Sequence, residues 1–355
     1  MEKKILPKQI LDHYTKQLPF VLYALPESEH VVAVLQKDDQ LHTIEEFTVS
    51  SFVLAPFTFE HRAICIPEAE STLLKLPFSE TTEPFKRVNI DDATDEKEAY
   101  IELVKKALSE IRRKNAEKIV VSRKVEIALK HLEVEELFAR LFTAKDQSFR
   151  YLWYHPTTGI WCGATPEVLV TTREDSFVTM ALAGTQPYSK NLPVYWGDKE
   201  ITEQQFVTDA ITNNLQKVTS VMKLSKTYTH IAGNVAHLRT DITGMLKTGR
   251  TTLQSLIQAL HPTPAVCGTP TKAAKRFIRE QEEYDRAYYT GFLGPICDDN
   301  KCSNLFVNLR CMKIENETAT IFVGGGITID SDPSDEWEET QNKMQTMLQV
   351  LQPML

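Results

Sequence analysis

Residues 321–343, IFVGGGITIDSDPSDEWEETQNK, constrain the fold of this chain more than any other stretch. An apolar run reads as a buried strand, three glycines follow, and an acidic helix begins after a turn. Asp332 is placed to cap that helix, Pro333 suits its first turn, and Asp335 stands at the third position of a capping box. Glu336, Glu339 and Lys343 then recur at spacings of three and four, which puts them on one helical face. Three consecutive glycines weaken a strand, and the usual return is close approach of a backbone or ligand, or a positive φ. Glycines beside two carboxylates and an ammonium suit a divalent cation and an anionic substrate, and the hard oxygen ligands select Mg2+. The same acids also complement a helix dipole, and a Glu-to-Lys pair four residues apart is also an ordinary surface salt bridge.

With 355 residues and 42% hydrophobic content, the chain can bury a large core as one big domain or two smaller ones. A net charge of −8 with no basic block excludes a nucleic-acid binder, so an anionic substrate must be held by locally placed cations. Residues 1–14 carry charge but no apolar signal core, and no apolar run is long enough to span a membrane as a helix. A soluble, cytoplasmic protein is expected. Cys65, Cys162, Cys267, Cys297, Cys302 and Cys311 form no C-x-x-C pair, and their strand-like contexts predict reduced, buried thiols.

Up to about residue 95, short strand-like runs (VVAVLQ, SFVLAPF, AICIP) alternate with polar breaks and carry no evident chemistry. Ile101, Val104, Leu108 and Ile111 then form the stripe of an amphipathic helix that runs from residue 95 to about 115. EKIVVSR reads as a buried strand with Lys118 at its mouth, and FRYLWYHPTTGIWCGATPEVLVTT as a hairpin turning at residues 156–159. TMALAGTQP reads as a strand ending in a Gly-Thr turn. A helix from about Lys199 carries Val207, Ile211, Leu215, Val218 and Met222 on its buried stripe, and Glu203 one turn earlier on that stripe. A carboxylate pointing inward requires a metal or basic partner, although an acid is also simply favoured in a first turn. YYTGFLGPI, NLFVNLRCMKI and ATIFVGGGI supply the last strands. The mixture predicts an α+β layered sandwich rather than a doubly wound parallel fold. Residues 244–251, GMLKTGRT, mimic a phosphate-binding loop, but Arg250 stands in place of its lysine and no strand is expected to lead into it.

Seven elements then occur in a characteristic order: GATPEVLV (163–170), ALAGT (181–185), KEITEQQFV (199–207), LHPTPAVCGTP (260–270), YYTGFLGP (288–295), NLRCMKI (308–314) and the glycine–acid segment. Together they span about two thirds of the chain, from Lys118 to Lys343, and this set resembles the chorismate-utilising enzymes. The resemblance implies one catalytic domain over residues 1–355, with 1–95 its less characteristic part and 96–355 its motif-bearing core. It implies two packed, largely antiparallel sheets with helices outside, an active site between the sheets, and Mg2+-dependent chemistry on chorismate. Ala183 replaces the nucleophilic lysine of aminodeoxychorismate-forming relatives, and Lys118 replaces the glutamine usual in anthranilate-forming ones. That combination resembles the water-activating isochorismate and salicylate synthases, and the LHPTPAVCG wording is closer to the former.

The resemblance also assigns roles. Lys118 is the base that activates water and Glu167 the acid that protonates the departing hydroxyl; alternatively Lys118 guards a strand edge and Glu167 is a surface acid. Glu203 and Glu339 ligate Mg2+, joined by Glu200 and Glu336 directly or through water. Arg310, Tyr289, Lys343 and the backbone of Gly324, Gly325 and Gly326 receive the enolpyruvyl carboxylate, while the N–H groups of Gly184 and Thr185 donate to a carboxylate. His237 aligns with a ring-side histidine, though a lone histidine is also commonly structural. Gln204, Gln205 and Ile201 depart from siderophore-type relatives, which have His, Glu and a basic residue there. The activity implied is conversion of chorismate to isochorismate, for menaquinone or siderophore synthesis, with salicylate formation or non-catalytic chorismate binding as alternatives. Expected with it are a monomer or weak homodimer and separate downstream isochorismate-using enzymes.

Overall fold

The computed structural model describes residues 6–78, 86–90, 94–143, 147–188, 193–232, 235–247, 249, 251–297 and 301–355. After helix α1 (Lys8–Thr15), the N-terminal part gives β1 (Phe20–Ala24), β2 (Val31–Gln36), β3 (His42–Ile44), β4 (Ser51–Ala55), β5 (Ala63–Pro67) and β6 (Ser71–Leu76). The middle runs α2 (Thr94–Arg112), β7 (Lys118–Ala128), α3 (Val134–Leu141), β8 (Phe149–His155), β9 (Gly159–Thr165), β10 (Val168–Arg173), β11 (Ser176–Pro187) and α4 (Asp198–Leu215). Then come β12 (Thr219–Leu224), β13 (Tyr228–Ala232), β14 (Val235–Leu246), α5 (Leu253–Leu260), β15 (Gly268–Thr269) and α6 (Thr271–Gln281). The chain closes with β16 (Phe292–Cys297), β17 (Cys302–Val307), β18 (Cys311–Glu315), β19 (Thr318–Ile327) and α7 (Pro333–Leu351).

The strands form two antiparallel sheets. One has the order β15-β7-β19-β18-β9-β8-β1-β2-β6, the other β12-β14-β11-β10-β17-β16-β4-β5-β3, with β13 also on β14. The aromatic cluster between them draws Phe149, Trp153, Trp161 and Phe322 from the first sheet and Phe52, Leu293 and Phe306 from the second. Helices α1, α3 and α7 cover the outer face of the first sheet, and α4 and α5 that of the second. The α+β sandwich expected from the sequence is therefore the observed one. The N-terminal strands are shared: β1, β2 and β6 enter the first sheet, β3, β4 and β5 the second.

Local chemistry accounts for the elements around the site. In β19, Ile321 and Val323 pack outward with Met344, Met347 and Leu348 of α7, while Phe322 faces inward against Trp161. Asp332 caps α7 as expected, its Oδ1 accepting from the N–H groups of Ser334 at 2.8 Å and Asp335 at 3.2 Å. The stripe of α2 is buried at Val104, Leu108 and Ile111. The hairpin of β8 and β9 turns between His155 and Gly159 as predicted.

Four expectations are corrected. The Gly-Thr turn is a bulge inside β11, where the register shifts between Ala183 and Thr185 and Gly184 takes φ +66°. Val218 and Met222 lie beyond the end of α4, yet pack against the same cluster as Val207, Ile211 and Leu215, so the apolar period outlasts the helix. A strand, β14, does lead into the loop-like GMLKTGRT, but Gly244 lies within that strand; Thr248 and Arg250 fall outside the described residues. Finally, Cys297 and Cys302 are registered partners of β16 and β17, 5.2 Å apart at Cα, and form a disulfide. Cys65, Cys162, Cys267 and Cys311 are free and buried, as expected.

Candidate active site

Lys118 opens β7 and is buried, with Thr269 of β15 directly opposite it. On the other side of β7, Gly326 of β19 makes room for its stem: a Cβ there would stand 2.6 Å from Lys118 Cε. Freed from side-chain crowding, Nζ donates to Oε1 of Glu203 in the second turn of α4 at 2.7 Å. The inward acid that the helix pattern required thus has its basic partner. This ion pair joins the two sheets' chemistry, since β7 belongs to the first sheet and α4 packs on the second.

Glu167 lies in the short link between β9 and β10, where the chain passes from one sheet to the other. It is only 8% exposed, and burial pushes its carboxyl up to about 7, against the pull of Lys118, Lys343 and the Thr263 hydroxyl. Lys118 and Lys343 are thus close enough to favour its charged form, though they pair with Glu203 and Glu339. Desolvation thereby keeps a proton on Glu167 near neutral pH beside two cations.

Helix α7 brings Glu339 and Lys343 to the same place. Lys343 Nζ donates to Glu339 Oε1 at 2.6 Å and to the Gly324 carbonyl at 2.8 Å. Lys343 holds the Glu339 carboxyl below the usual range despite burial, helped by Arg310 and Lys118. Lys118, paired with Glu203 of α4, thus also favours the charged form of Glu339 on α7.

Arg310 lies in the link from β17 to β18, where the chain crosses back from the second sheet to the first, and takes φ +46°. Burial draws its guanidinium downward while Glu339 and Tyr289 oppose this, and Nη1 donates to Thr346 Oγ1 at 3.3 Å. Tyr289 is buried with its ring stacked on Phe322, and its hydroxyl stands 3.1 Å from where a Gly324 Cβ would be. His237 of β14 is opposite Thr185; burial lowers its pKa to about 4 despite a hydrogen bond with the Gly184 backbone. The imidazole is neutral at physiological pH, which suits a ring beside Lys343 and Arg310. Of Thr185 only the backbone is described.

Glu200 and Glu336 occupy the helix starts. Glu200 Oε2 accepts from the Gly197 N–H at 3.0 Å, and its stem packs on Gly184. Glu336 Oε1 accepts from Ser331 Oγ at 2.7 Å, and its other oxygen faces the notch left by Gly325, 2.6 Å from a Cβ placed there. Among the described residues, no three His, Cys, Asp or Glu side chains are gathered as a metal would require. Two residues near the site escaped the sequence reading: Thr263, against Glu167, and Tyr100, whose buried hydroxyl stands 3.4 Å from the Gly325 notch. The motif LHPTPAVCG was the only signal for Thr263, and Tyr100 gave none beyond its place on a buried stripe.

The site holds a buried carboxyl of raised pKa within the electrostatic reach of two lysines, together with a histidine of lowered pKa and a buried guanidinium. It suits an anionic substrate that needs a proton given on one side and taken on the other. The family model described as chorismate binding enzyme matches residues 43–352. The chain is 31% identical over 275 residues to the isochorismate synthase DhbC of Bacillus subtilis, covering 72% of this chain and 68% of that protein. It is 30% identical over 309 residues to a putative isochorismate synthase MenF of Mycobacterium tuberculosis, covering 81% and 82%. The crystal structure of a putative 2,3-dihydroxybenzoate-specific isochorismate synthase, DhbC from Bacillus anthracis, superposes with a TM-score of 0.80. That match covers 98% of this chain and 100% of the other at 24% identity, and speaks for the fold. With residues 43–352 inside the family match and relatives about 30% identical over most of its length, the chain belongs to the chorismate-binding enzymes.

Proposed function

We propose that the protein is an isochorismate synthase that moves the ring hydroxyl of chorismate by adding water at C2 and expelling the C4 hydroxyl. The observation that carries this reading is the buried Glu167 carboxyl, raised to about 7 by burial against the electrostatic pull of Lys118 and Lys343. The relatives named above bear that activity in their names. Lys118 takes a proton from the incoming water as its oxygen bonds to C2, both ring double bonds shift by one position towards C4, and the C4–O bond breaks. Glu167 gives its proton to the departing hydroxyl, so one water enters, one leaves, and no redox change occurs. An ammonium is not a base, so Lys118 acts in its amine form, and Glu203, which favours the ammonium, must release it first. Arg310, Tyr289, Lys343 and the Gly324–Gly326 backbone hold the enolpyruvyl carboxylate, the planar guanidinium offering a two-point contact. Neutral His237 and the N–H groups of Gly184 and Thr185 border the ring.

Glu203 and Glu339 come from different helices and each now holds an ammonium, Lys118 and Lys343 respectively, so both are charged hard-oxygen donors that would suit a divalent cation. With Glu200 and Glu336 they would hold Mg2+, which would clamp the ring carboxylate and offset the acids' mutual repulsion. Among the described residues no helix is long and apolar enough to cross a membrane, in keeping with a cytoplasmic enzyme.

Incubation with chorismate and Mg2+, followed by chromatography, tests the reading: isochorismate is the expected product. Salicylate and pyruvate appearing without an added lyase would replace it with salicylate synthesis, and chorismate binding without ring chemistry with a binding protein. Glu339→Gln is expected to shift the Mg2+ requirement upward by at least about 10–100-fold, the range for disturbing a metal's surroundings. Metal-free thermal unfolding should barely change, since this carboxylate is partly exposed; an unaltered Mg2+ titration would remove Glu339 from the site. Gly326→Ala tests the placement of Lys118, because the added methyl meets Cε at 2.6 Å and displaces a flexible side chain rather than backbone. A shift of about 1 Å is enough for roughly 10²-fold in turnover. Normal turnover with an intact fold would show that Lys118 needs no such exact seat.

A further inference from the structure

Strand β7 is paired along its length with β19, but on its other edge β15 covers only Lys118 and Ile119. Just beyond, the Val120 N–H still finds the Cys267 carbonyl at 2.9 Å. Farther along that edge no strand follows among the described residues, and a buried ion pair takes its place. Arg286 Nη2 donates to the Val120 carbonyl at 2.8 Å, and Glu282 Oε1 accepts from the Ser122 N–H at 2.8 Å and from Ser122 Oγ at 2.9 Å. Arg286 Nε donates to Glu282 Oε2 at 2.7 Å and Nη2 to Glu282 Oε1, closing a two-point pair. Arg286 Nη1 reaches the Val266 carbonyl at 3.0 Å, at the start of the segment that lies opposite Lys118. The two side chains are 2% and 1% exposed.

We propose that Glu282 and Arg286 are positioning residues that set where Lys118 stands. The proposal rests on the isochorismate-synthase reading for its kinetic consequence, though not for its geometry. Burying a charge pair gives little net stability over apolar residues of like volume, because both groups lose their hydration. What the pair supplies is direction. It ties Val120 and Ser122, two and four residues after Lys118, to the loop that faces Lys118 across β15. An apolar pair fills the volume but leaves the Val120 carbonyl and Ser122 N–H without these partners, and the strand mouth is free to shift. Tyr289 is held by its N–H bond to the Arg286 carbonyl, and the Arg286 guanidinium also lies 6.0 Å over its ring.

The test is the double variant Glu282→Met, Arg286→Met, which removes both charges and both hydrogen-bonding side chains together. It is expected to unfold close to the wild-type temperature, with kcat lowered about tenfold or more and chorismate affinity changed less than threefold. Lys118, mapped by mass spectrometry after limited treatment with an amine-modifying reagent, should label several-fold faster in the variant. Wild-type kcat together with wild-type labelling of Lys118 would overturn the proposal. If the double variant does not fold, hydrogen exchange in the wild-type protein decides: slow exchange at Ser122 N–H supports the clamp and fast exchange overturns it. A wild-type protein that makes no isochorismate would remove the proposed reaction and leave the labelling comparison standing.

Discussion

Lys118→Ala is expected to cut turnover by about 10²–10⁴-fold, the usual worth of a well-placed proton acceptor, while chorismate still binds. Substrate affinity should persist because the carboxylate-holding groups, Arg310, Tyr289 and Lys343, sit on other elements. The variant has a second signature. Without the ammonium, Glu203 is left partly buried and short of its partner, at a cost of about 1–3 kcal/mol. A divalent cation supplies replacement charge, so Mg2+ should raise the unfolding temperature of the variant more than that of the wild type. Calorimetry with and without Mg2+ beside steady-state kinetics checks both. Near-normal turnover would end the assignment of Lys118 as base.

Glu167→Gln should cost a similar factor in kcat and also change the pH response. In the wild type the donor is protonated below about 7, so the rate falls as pH rises through that value; in the amide variant that limb is absent. Stability follows the same group. Its folded pKa, about 7, lies above the unfolded value of 4.5, so the native state keeps a proton that the unfolded chain has released. That contribution is fully present below about 4.5 and is lost as pH climbs to about 7, a swing of roughly 3 kcal/mol at 1.36 kcal/mol per pH unit. Relative to the wild type, the variant should therefore gain stability on going from pH 4.5 to pH 8. Parallel stability curves for the two proteins would show that Glu167 is ionised in the native state.

Much of the site was legible because its chemistry is local. Residues 321–343 announce a strand, a glycine notch and an acidic helix, and the structure puts Lys343 on Gly324 and Glu336 at Gly325. Lys118 at a strand mouth and Glu203 on a buried stripe were each readable alone, but their union was not: 85 residues separate them. The bulge at Gly184 was read as a turn because a glycine with positive φ serves either, and only pairing with β14 decides. The period that ran on through Met222 reflects packing against one cluster by a helix and then a strand, which no single repeat can express. Cys297 and Cys302 looked unrelated until the pairing of β16 with β17 set them opposite.

The sharing of the first strands between both sheets bears on how the chain comes to be folded. Within the second sheet, Ser51 of β4 lies opposite Ile296 of β16, and within the first, Leu22 of β1 opposite Leu152 of β8. Early strands thus wait for partners made long afterwards, and pairings so remote in sequence form slowly. During synthesis β5 has β3 and β4 to pair with, but the apolar β4 keeps one edge open until translation has passed β16, an interval in which that edge is exposed to wrong partners.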